Sequence, residues 1–157
     1  MLEVNELMVF FENALALNGL SLKVDEGEIV GLIGSNSAGK TTFINTVSGL
    51  IIDMRIKEKR KGGERISIYG SIQYQGEDIT EMPPSARVHR GIVVSRERHP
   101  VFPESSVLEN LKIAGYLRSK AEIKETMGFV FSLFSPLEKL KTRKAGFLSG
   151  GEQQMLA

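Results

Sequence analysis

The stretch that decides the fold is Gly34-Ser35-Asn36-Ser37-Ala38-Gly39-Lys40-Thr41. Two glycines five positions apart, followed by lysine and threonine, form the pattern of a phosphate-binding loop, or P-loop. The apolar run at residues 29–33 precedes the loop and predicts a strand that is buried on both faces. A helix should follow the loop, because Phe43, Val47 and Leu50 fall on one helical face. A plain glycine-rich turn is the alternative, and the strand–loop–helix context favours the P-loop.

Each part of such a loop has a physical task. Gly34 and Gly39 let the backbone curl, so that successive N–H groups point at phosphate oxygens. Lys40 reaches the β- and γ-phosphates, and Thr41 ligates Mg²⁺. The following helix directs its positive N-terminal end at the same anion. The predicted nucleotide-binding residues are Gly34, Ser35, Asn36, Ser37, Ala38, Gly39, Lys40, Thr41 and Thr42.

Composition excludes several classes of function. The 157 residues fit one domain, and 41% apolar residues suffice for a core. A net charge of +1 gives no global electrostatic case for binding nucleic acid or an anionic membrane. The absence of cysteine excludes disulfides and is compatible with a reducing cytosol. With only two histidines besides, a zinc site is improbable. No apolar run reaches membrane-spanning length.

Short strands are expected around the loop. Alternating apolar positions predict strands at residues 2–11 and 19–24, joined by a turn at 13–18. A further strand is predicted at 66–75, and a buried one at 91–95.

Residues 51–70 differ in character, because six cations crowd them around Gly62-Gly63: Arg55, Lys57, Lys59, Arg60, Lys61 and Arg65. We interpret this stretch as a solvated loop or hairpin, whose charge Glu58 and Glu64 dilute. Contact with lipid head groups or with a partner is the alternative.

The chain becomes helical after Ser105. Ser106 with Glu109, and Ser119 with Glu122, form capping-box pairs that predict two helix starts. The second helix has one apolar face, made of Ile123, Met127, Val130, Phe131 and Phe134. Pro136 should end it, and a short helix is expected at 137–144.

A second motif, Leu148-Ser149-Gly150-Gly151-Glu152, reads as a helix start with Ser149 as the N-cap. Alone it would be a routine helix start. Together with the P-loop, it makes the chain resemble an ABC-type ATPase, with both motifs in that family's order. In that family the signature of one subunit covers the γ-phosphate held by the P-loop of another. The resemblance therefore implies that Leu148, Ser149, Gly150, Gly151 and Glu152 act on the ATP of a partner subunit.

Residues 97–111 restrict the resemblance to one group within the ABC ATPase family. ABC ATPases usually carry Gln where this chain has Glu97, followed here by Phe102-Pro103 and Glu109-Asn110-Leu111. This pattern is similar to the LivF-type subunits of importers for branched-chain amino acids. The resemblance implies that Glu97 contacts Mg²⁺ and the attacking water. The alternative is an exposed acid paired with Arg96 or Arg98.

The resemblance also implies an aromatic residue that stacks on adenine. Phe11 lies upstream of Gly34 at a separation that agrees with the family pattern, and an aromatic face can stack on a base without hydrogen bonds. Phe10 is the alternative, because strand alternation exposes only one of the two.

The chain departs from the family at two points. Ser37 stands where glycine is usual, and costs about 1 kcal/mol if the position needs a positive φ. The chain also ends before the family's strand with the Mg²⁺-binding Asp and catalytic Glu, and before its switch His, so the catalytic residues stay unassigned. We expect ATP binding without turnover, and unpaired strands at 29–33 and 91–95 that favour association.

The expected fold is an α/β P-loop NTPase lobe of the ABC ATPase type, with an N-terminal antiparallel β region, a helical subdomain and the C-terminal half of the domain missing. The expected boundaries are 1–103 for the ATP-binding core, with an insertion at about 52–66, 104–147 for the helical subdomain, and 148–157 for the signature.

The implied function is ATP binding and hydrolysis coupled to import of branched-chain amino acids, with ATP and Mg²⁺ as cofactors. The implied partners are a second ABC ATPase subunit, in a homo- or heterodimer, and transmembrane permease subunits. We expect no nucleic acid partner, no direct membrane insertion, and a cytoplasmic, peripheral place on the inner face of the membrane. A soluble ABC-type ATPase in DNA repair or translation, or a non-catalytic nucleotide-binding fragment, is the alternative.

Overall fold

A computed structural model describes residues 1–95 and 101–157. These form two compact units, Met1–Val94 and Ser95–Ala157, and each is described by itself.

The first unit contains a four-stranded antiparallel sheet in the order β2-β1-β3-β4. The strands are β1 (Leu2–Phe11), β2 (Ala14–Val24), β3 (Ile66–Tyr74) and β4 (Glu77–Asp78). The expected antiparallel β region is therefore confirmed. The turn predicted at 13–18 is wrong, because β2 already begins at Ala14. A two-residue connection closes this hairpin, and Glu12 adopts the positive φ of 50° that such tight turns require.

Three helices complete the first unit: α1 (Lys40–Val47), α2 (Leu50–Lys61) and α3 (Pro84–His89). The helix predicted after the P-loop is confirmed, although Gly49, at φ 81°, separates Leu50 from it. The loop predicted across residues 51–61 is wrong, since α2 occupies it. Long unbranched side chains have good helix propensity, and the cations of the last turn lie at the negative end of the helix.

The core of this unit lies on one face of the sheet, where α1 and α2 cover it. Its buried members are Val4, Leu7, Val9, Leu17, Phe43, Ile51, Ile52, Ile66, Ile72 and Ile79. The first helix therefore holds the end of the P-loop against the sheet through Phe43.

The two buried strands predicted at 29–33 and 91–95 are absent. Both segments lie outside the strands of the described residues, and Ile29, Ile33 and Val93 are 98%, 96% and 76% exposed. Apolar composition favours an extended chain, but a strand also needs a hydrogen-bonding neighbour. Within the described ranges neither segment has one.

The second unit is helical, as expected. It contains α4 (Val107–Ala114), α5 (Lys120–Leu133), α6 (Ser135–Lys139), a 3₁₀ turn (Ala145–Phe147) and α7 (Gly150–Leu156). Capping boxes begin α4 and α5 as predicted. The short helix predicted at 137–144 begins earlier and is shorter, because Pro136 fits the first turn of a helix. The core of the second unit consists of Val107, Leu137, Ala145, Leu148 and Leu156. No helix among the described residues is long and apolar enough to cross a membrane.

Candidate nucleotide-binding site

The P-loop backbone contains two left-handed residues. Ser37 has a φ of 68° and Gly39 a φ of 84°. The position at which the family usually has glycine thus does adopt a positive φ, which costs a serine about 1 kcal/mol. The Ala38 N–H donates to the Ser35 carbonyl at 3.2 Å and closes a turn between these positions.

Gly39 is also required by a close approach. A Cβ at this position would lie 2.5 Å from the carbonyl oxygen of Ala16 and 3.3 Å from Leu17 Cδ1. The loop therefore rests directly on β2, and any side chain at Gly39 would push it away.

Lys40 braces the same loop from inside. Its ammonium donates to the carbonyl oxygens of Gly34, at 2.6 Å, and Ser35, at 2.7 Å. Two of its three donors are used in this way, which leaves a third for an anion in the loop.

The start of α1 offers unpaired donors. The first helical hydrogen bond runs from the Phe43 N–H to the Gly39 carbonyl at 2.8 Å, and no side chain caps the helix. Among the described residues no acceptor bonds the N–H groups of Gly39, Lys40, Thr41 and Thr42. The first turn also contains no acid. These N–H groups and the positive helix end suit a phosphate, and the exposed Thr41 hydroxyl suits a metal bound to it.

The two aromatic candidates lie on opposite faces of the sheet. Phe11 pairs with the buried Ile66 and packs against the core cluster that includes Phe43 of α1. Phe10 pairs with Ser67, and its ring makes an edge-on contact with Tyr69 at 5.9 Å between centroids. Of the two, Phe11 shares a face with the helix of the P-loop. Its stacking on adenine stays a prediction.

Glu97 lies outside the described residues, as do its neighbours Arg96 and Arg98. Its predicted contact with Mg²⁺ therefore stays a prediction.

The signature residues start α7, as predicted. Ser149 is the N-cap: its hydroxyl accepts the Glu152 N–H at 3.3 Å, and the Glu152 carboxylate accepts the Ser149 N–H at 2.7 Å. The bonds from the Ser149 backbone and side chain lower the pKa of Glu152. Leu148 is buried, whereas Ser149, Gly150 and Gly151 are exposed to solvent. Their action on the ATP of a partner subunit stays a prediction.

Two buried polar residues were not predicted. Arg87 bonds the backbone at the far end of α1. Asn110 holds the Phe102 backbone, accepting its N–H at 2.7 Å and donating to its carbonyl at 3.0 Å. Asn110 stood in the Glu-Asn-Leu motif that supported the family resemblance, but no motif or periodic pattern in the sequence singled out Arg87.

Comparisons with known proteins agree with this geometry. The family model for the ABC transporter matches residues 17–157. The chain is 35% identical to the branched-chain amino acid transport ATP-binding protein BraG of Pseudomonas aeruginosa and 31% identical to a probable LivF of Archaeoglobus fulgidus. Both alignments cover 100% of this chain and 61% of the relative, so the chain spans about three fifths of their length.

A solved ATP-binding cassette of an ABC transporter superposes with a TM-score of 0.78 at 27% identity, over 99% of this chain and 62% of that structure. The expected ABC ATPase fold is thereby confirmed. This agreement of fold, motif order and sequence shows that the chain belongs to the ABC transporter family of ATP-binding proteins.

Proposed function

We propose that this chain is the nucleotide-binding part of an ATP-binding subunit that serves an importer of branched-chain amino acids. The observation that carries the proposal is the P-loop, in which Ser37 and Gly39 turn the backbone and the first N–H groups of α1 have no acceptor in the described part of the chain. The amino acid class is supported by the relatives in Pseudomonas aeruginosa and Archaeoglobus fulgidus, which are named for its transport.

The residues of the loop divide the binding task. The backbone from Gly34 to Thr42 surrounds the phosphates, and Lys40 turns its third donor to the β- and γ-phosphates. Thr41 would hold Mg²⁺, and Glu97 is the proposed second contact. The bound Mg²⁺ would supply charge neutralisation at the phosphates. Phe11 would hold the adenine ring by its face.

The proposed partners follow from the family. Ser149, Gly150 and Gly151 would close on the ATP of a second ABC ATPase subunit, in a homo- or heterodimer, and this pair would drive transmembrane permease subunits. The site of action is then the cytoplasmic side of the membrane. The exposed position of all three residues suits contact with another subunit.

We further propose that these 157 residues alone bind ATP without turnover. In-line attack on the γ-phosphate needs a positioned water and a group that orients it. Within the described residues, no carboxylate bonds Lys40 or Thr41, and no cluster of acids and histidines could hold a metal ion.

Titration of the chain with a fluorescent ATP analogue and Mg²⁺ tests the nucleotide site. We expect Lys40→Ala to weaken binding by at least about tenfold, since it removes a charge-assisted bond to phosphate as well as the brace of the loop. Lys23→Ala is the matched control, because Lys23 is an exposed lysine paired with Asp25. Equal affinities of wild type and Lys40→Ala would overturn the proposal.

A further inference from the structure

Positive charge is concentrated at the end of α2 and in the turn that follows. Residues 55–65 contain six cations and two acids, a net charge of +4, whereas the whole chain has a net charge of +1. The remainder of the chain is therefore net negative. The net charge of the whole chain therefore gives no indication of this local cationic surface.

These cations lack carboxylate partners. Arg55 is the exception, because it forms an ion pair with Glu81. Across residues 1–95 and 101–157, no carboxylate oxygen lies within 4 Å of a charged side-chain nitrogen of the other five, which are Lys57, Lys59, Arg60, Lys61 and Arg65. The Glu12 carboxylate accepts the backbone N–H of Arg65 and not its guanidinium. All five are exposed. Attraction to the negative C-terminal end of α2 explains why cations occupy its last turn. It does not explain the positions of Lys57 and Arg65, which lie outside that turn.

An apolar side chain lies among the cations. Ile56, 41% exposed, is four positions before Arg60, and Lys57 is four positions before Lys61, so the two pairs occupy adjoining rows of one helix side. The start of the same helix is anchored in the core by two buried isoleucines. The solvent-exposed side of α2 thus presents one apolar residue, Ile56, surrounded by positively charged side chains.

A groove of about 670 Å³ continues this surface between the end of α2 and the start of β3. Ile56, Lys59 and Arg65 line it together with Gly62, Gly63 and the acid Glu64. Two of the five unpaired cations therefore face a concave space, and the others lie on the outer side of the helix.

We propose that this α2 basic surface, made of Ile56, Lys57, Lys59, Arg60, Lys61 and Arg65, binds the head groups of an anionic phospholipid bilayer. Each cation near such a membrane strengthens binding roughly fivefold. Ile56 can enter the boundary between head groups and acyl chains, which adds an apolar contribution. The chain would be held at the surface without insertion.

A membrane fits this surface better than nucleic acid does. The surface has no aromatic side chain on which bases could stack, and a DNA backbone would leave Ile56 without a contact. The choice of a membrane also rests in part on the proposed function, which places the chain beside permease subunits.

Vesicle co-sedimentation tests the proposal. The vesicles contain phosphatidylcholine with about 30% phosphatidylglycerol, or phosphatidylcholine alone. We expect wild type to bind only the anionic vesicles, and less at high ionic strength. The triple variant K57Q/R60Q/K61Q should bind at least about tenfold more weakly. The control K112Q/K120Q/K124Q removes the same charge from exposed lysines of α4 and α5 and should bind like wild type.

Three results would overturn the proposal: binding to both kinds of vesicle alike, an equal loss in the two triple variants, or tighter binding to duplex DNA than to anionic vesicles. Ile56→Ser should cost a few fold in partition, most visibly at high salt. Lys40→Ala should bind vesicles like wild type. That variant separates the membrane surface from the nucleotide site, so failure of one proposal is not mistaken for failure of the other.

Discussion

The guanidinium of Arg87 donates from Nη1 to the carbonyl oxygen of Thr46, at 2.7 Å, at the far end of the helix that begins in the P-loop. Both residues are fully buried. The other donors of Arg87 reach four more backbone carbonyls, those of Val47, Ile79, Thr80 and Met82. Burial lowers the pKa of Arg87 to about 10, which still leaves it cationic at neutral pH. One side chain therefore satisfies the end of α1 and ties it to the segment after β4.

Replacement of Arg87 should destabilise the first unit strongly. Arg87→Met would remove a donor from each of five carbonyls, of which those of Thr46 and Ile79 still accept a backbone N–H. We expect a loss of about 3–5 kcal/mol in the free energy of unfolding. Arg87→Lys, with one nitrogen in place of three, should lose somewhat less. Urea titration followed by circular dichroism measures both. Arg118→Met, an exposed change, should stay within about 0.5 kcal/mol. A similar midpoint for Arg87→Met and Arg118→Met would contradict the role of Arg87.

Ser37→Gly should improve the P-loop. The φ of 68° is strained for serine and free for glycine, so the variant should gain about 1 kcal/mol, seen as a roughly fivefold tighter ATP affinity or a higher urea midpoint. The control is Ser35→Gly, whose φ is not positive and which should gain nothing. A gain of equal size at both positions would show that general loop flexibility, and not strain at Ser37, is the cause.

The opposite faces of Phe10 and Phe11 give a paired prediction. Phe11→Leu keeps an apolar side chain against the core but removes the aromatic face, so ATP affinity should fall by about 5-fold to 100-fold. Phe10→Leu should leave ATP affinity unchanged, because its ring faces Tyr69 on the other side of the sheet. Each variant is titrated with ATP and with inorganic triphosphate, so that a lost adenine contact is distinguished from weaker phosphate binding. An adenine-specific loss in Phe10→Leu would reverse the assignment.

Local chemistry made much of this structure predictable. The P-loop, the capping boxes at Ser106 and Ser119, the N-cap at Ser149, and the strands β1 and β3 are specified by short-range rules. A single departure in the motif drew attention to Ser37, whose cost depended on a positive φ, and the structure shows that φ to be 68°. These features depend on residues that are neighbours in the sequence.

The features that escaped prediction depend on distant neighbours. Residues 29–33 have the composition of a buried strand, but a strand exists only where another segment pairs with it. Arg87 is 41 positions from Thr46, and no periodic pattern connects them. The helix at α2 was missed because clustered charge suggested a loop, although its cations lie where the helix end favours them.

The exposed apolar segments should promote association. Ile29 and Ile33 are almost fully exposed and belong to no strand in the described ranges. An exposed apolar segment without a hydrogen-bonding partner favours pairing with another chain. The double variant Ile29→Lys/Ile33→Lys should therefore raise the monomer fraction in sedimentation velocity. Leu15→Lys, at an apolar position that is 48% exposed within a paired strand, is the control. Equal effects of the two changes would show that charge alone limits association.

Acid should weaken the three capping boxes of the second unit together. Hydrogen bonds from Ser106, Ser119 and Ser149 lower the pKa values of Glu109, Glu122 and Glu152 below the ordinary 4.5. A carboxylate whose pKa is lower in the folded state adds stability above the unfolded pKa, and this stability is lost as pH falls through the folded pKa. We expect helicity to be constant from pH 7 to about pH 5 and to decline below it. The triple change of these glutamates to Gln should flatten that decline, whereas changing Glu125 and Glu138, which lie outside the capping boxes, should leave it in place. A decline that persists unaltered in the capping-box variant would assign the acid sensitivity to other groups.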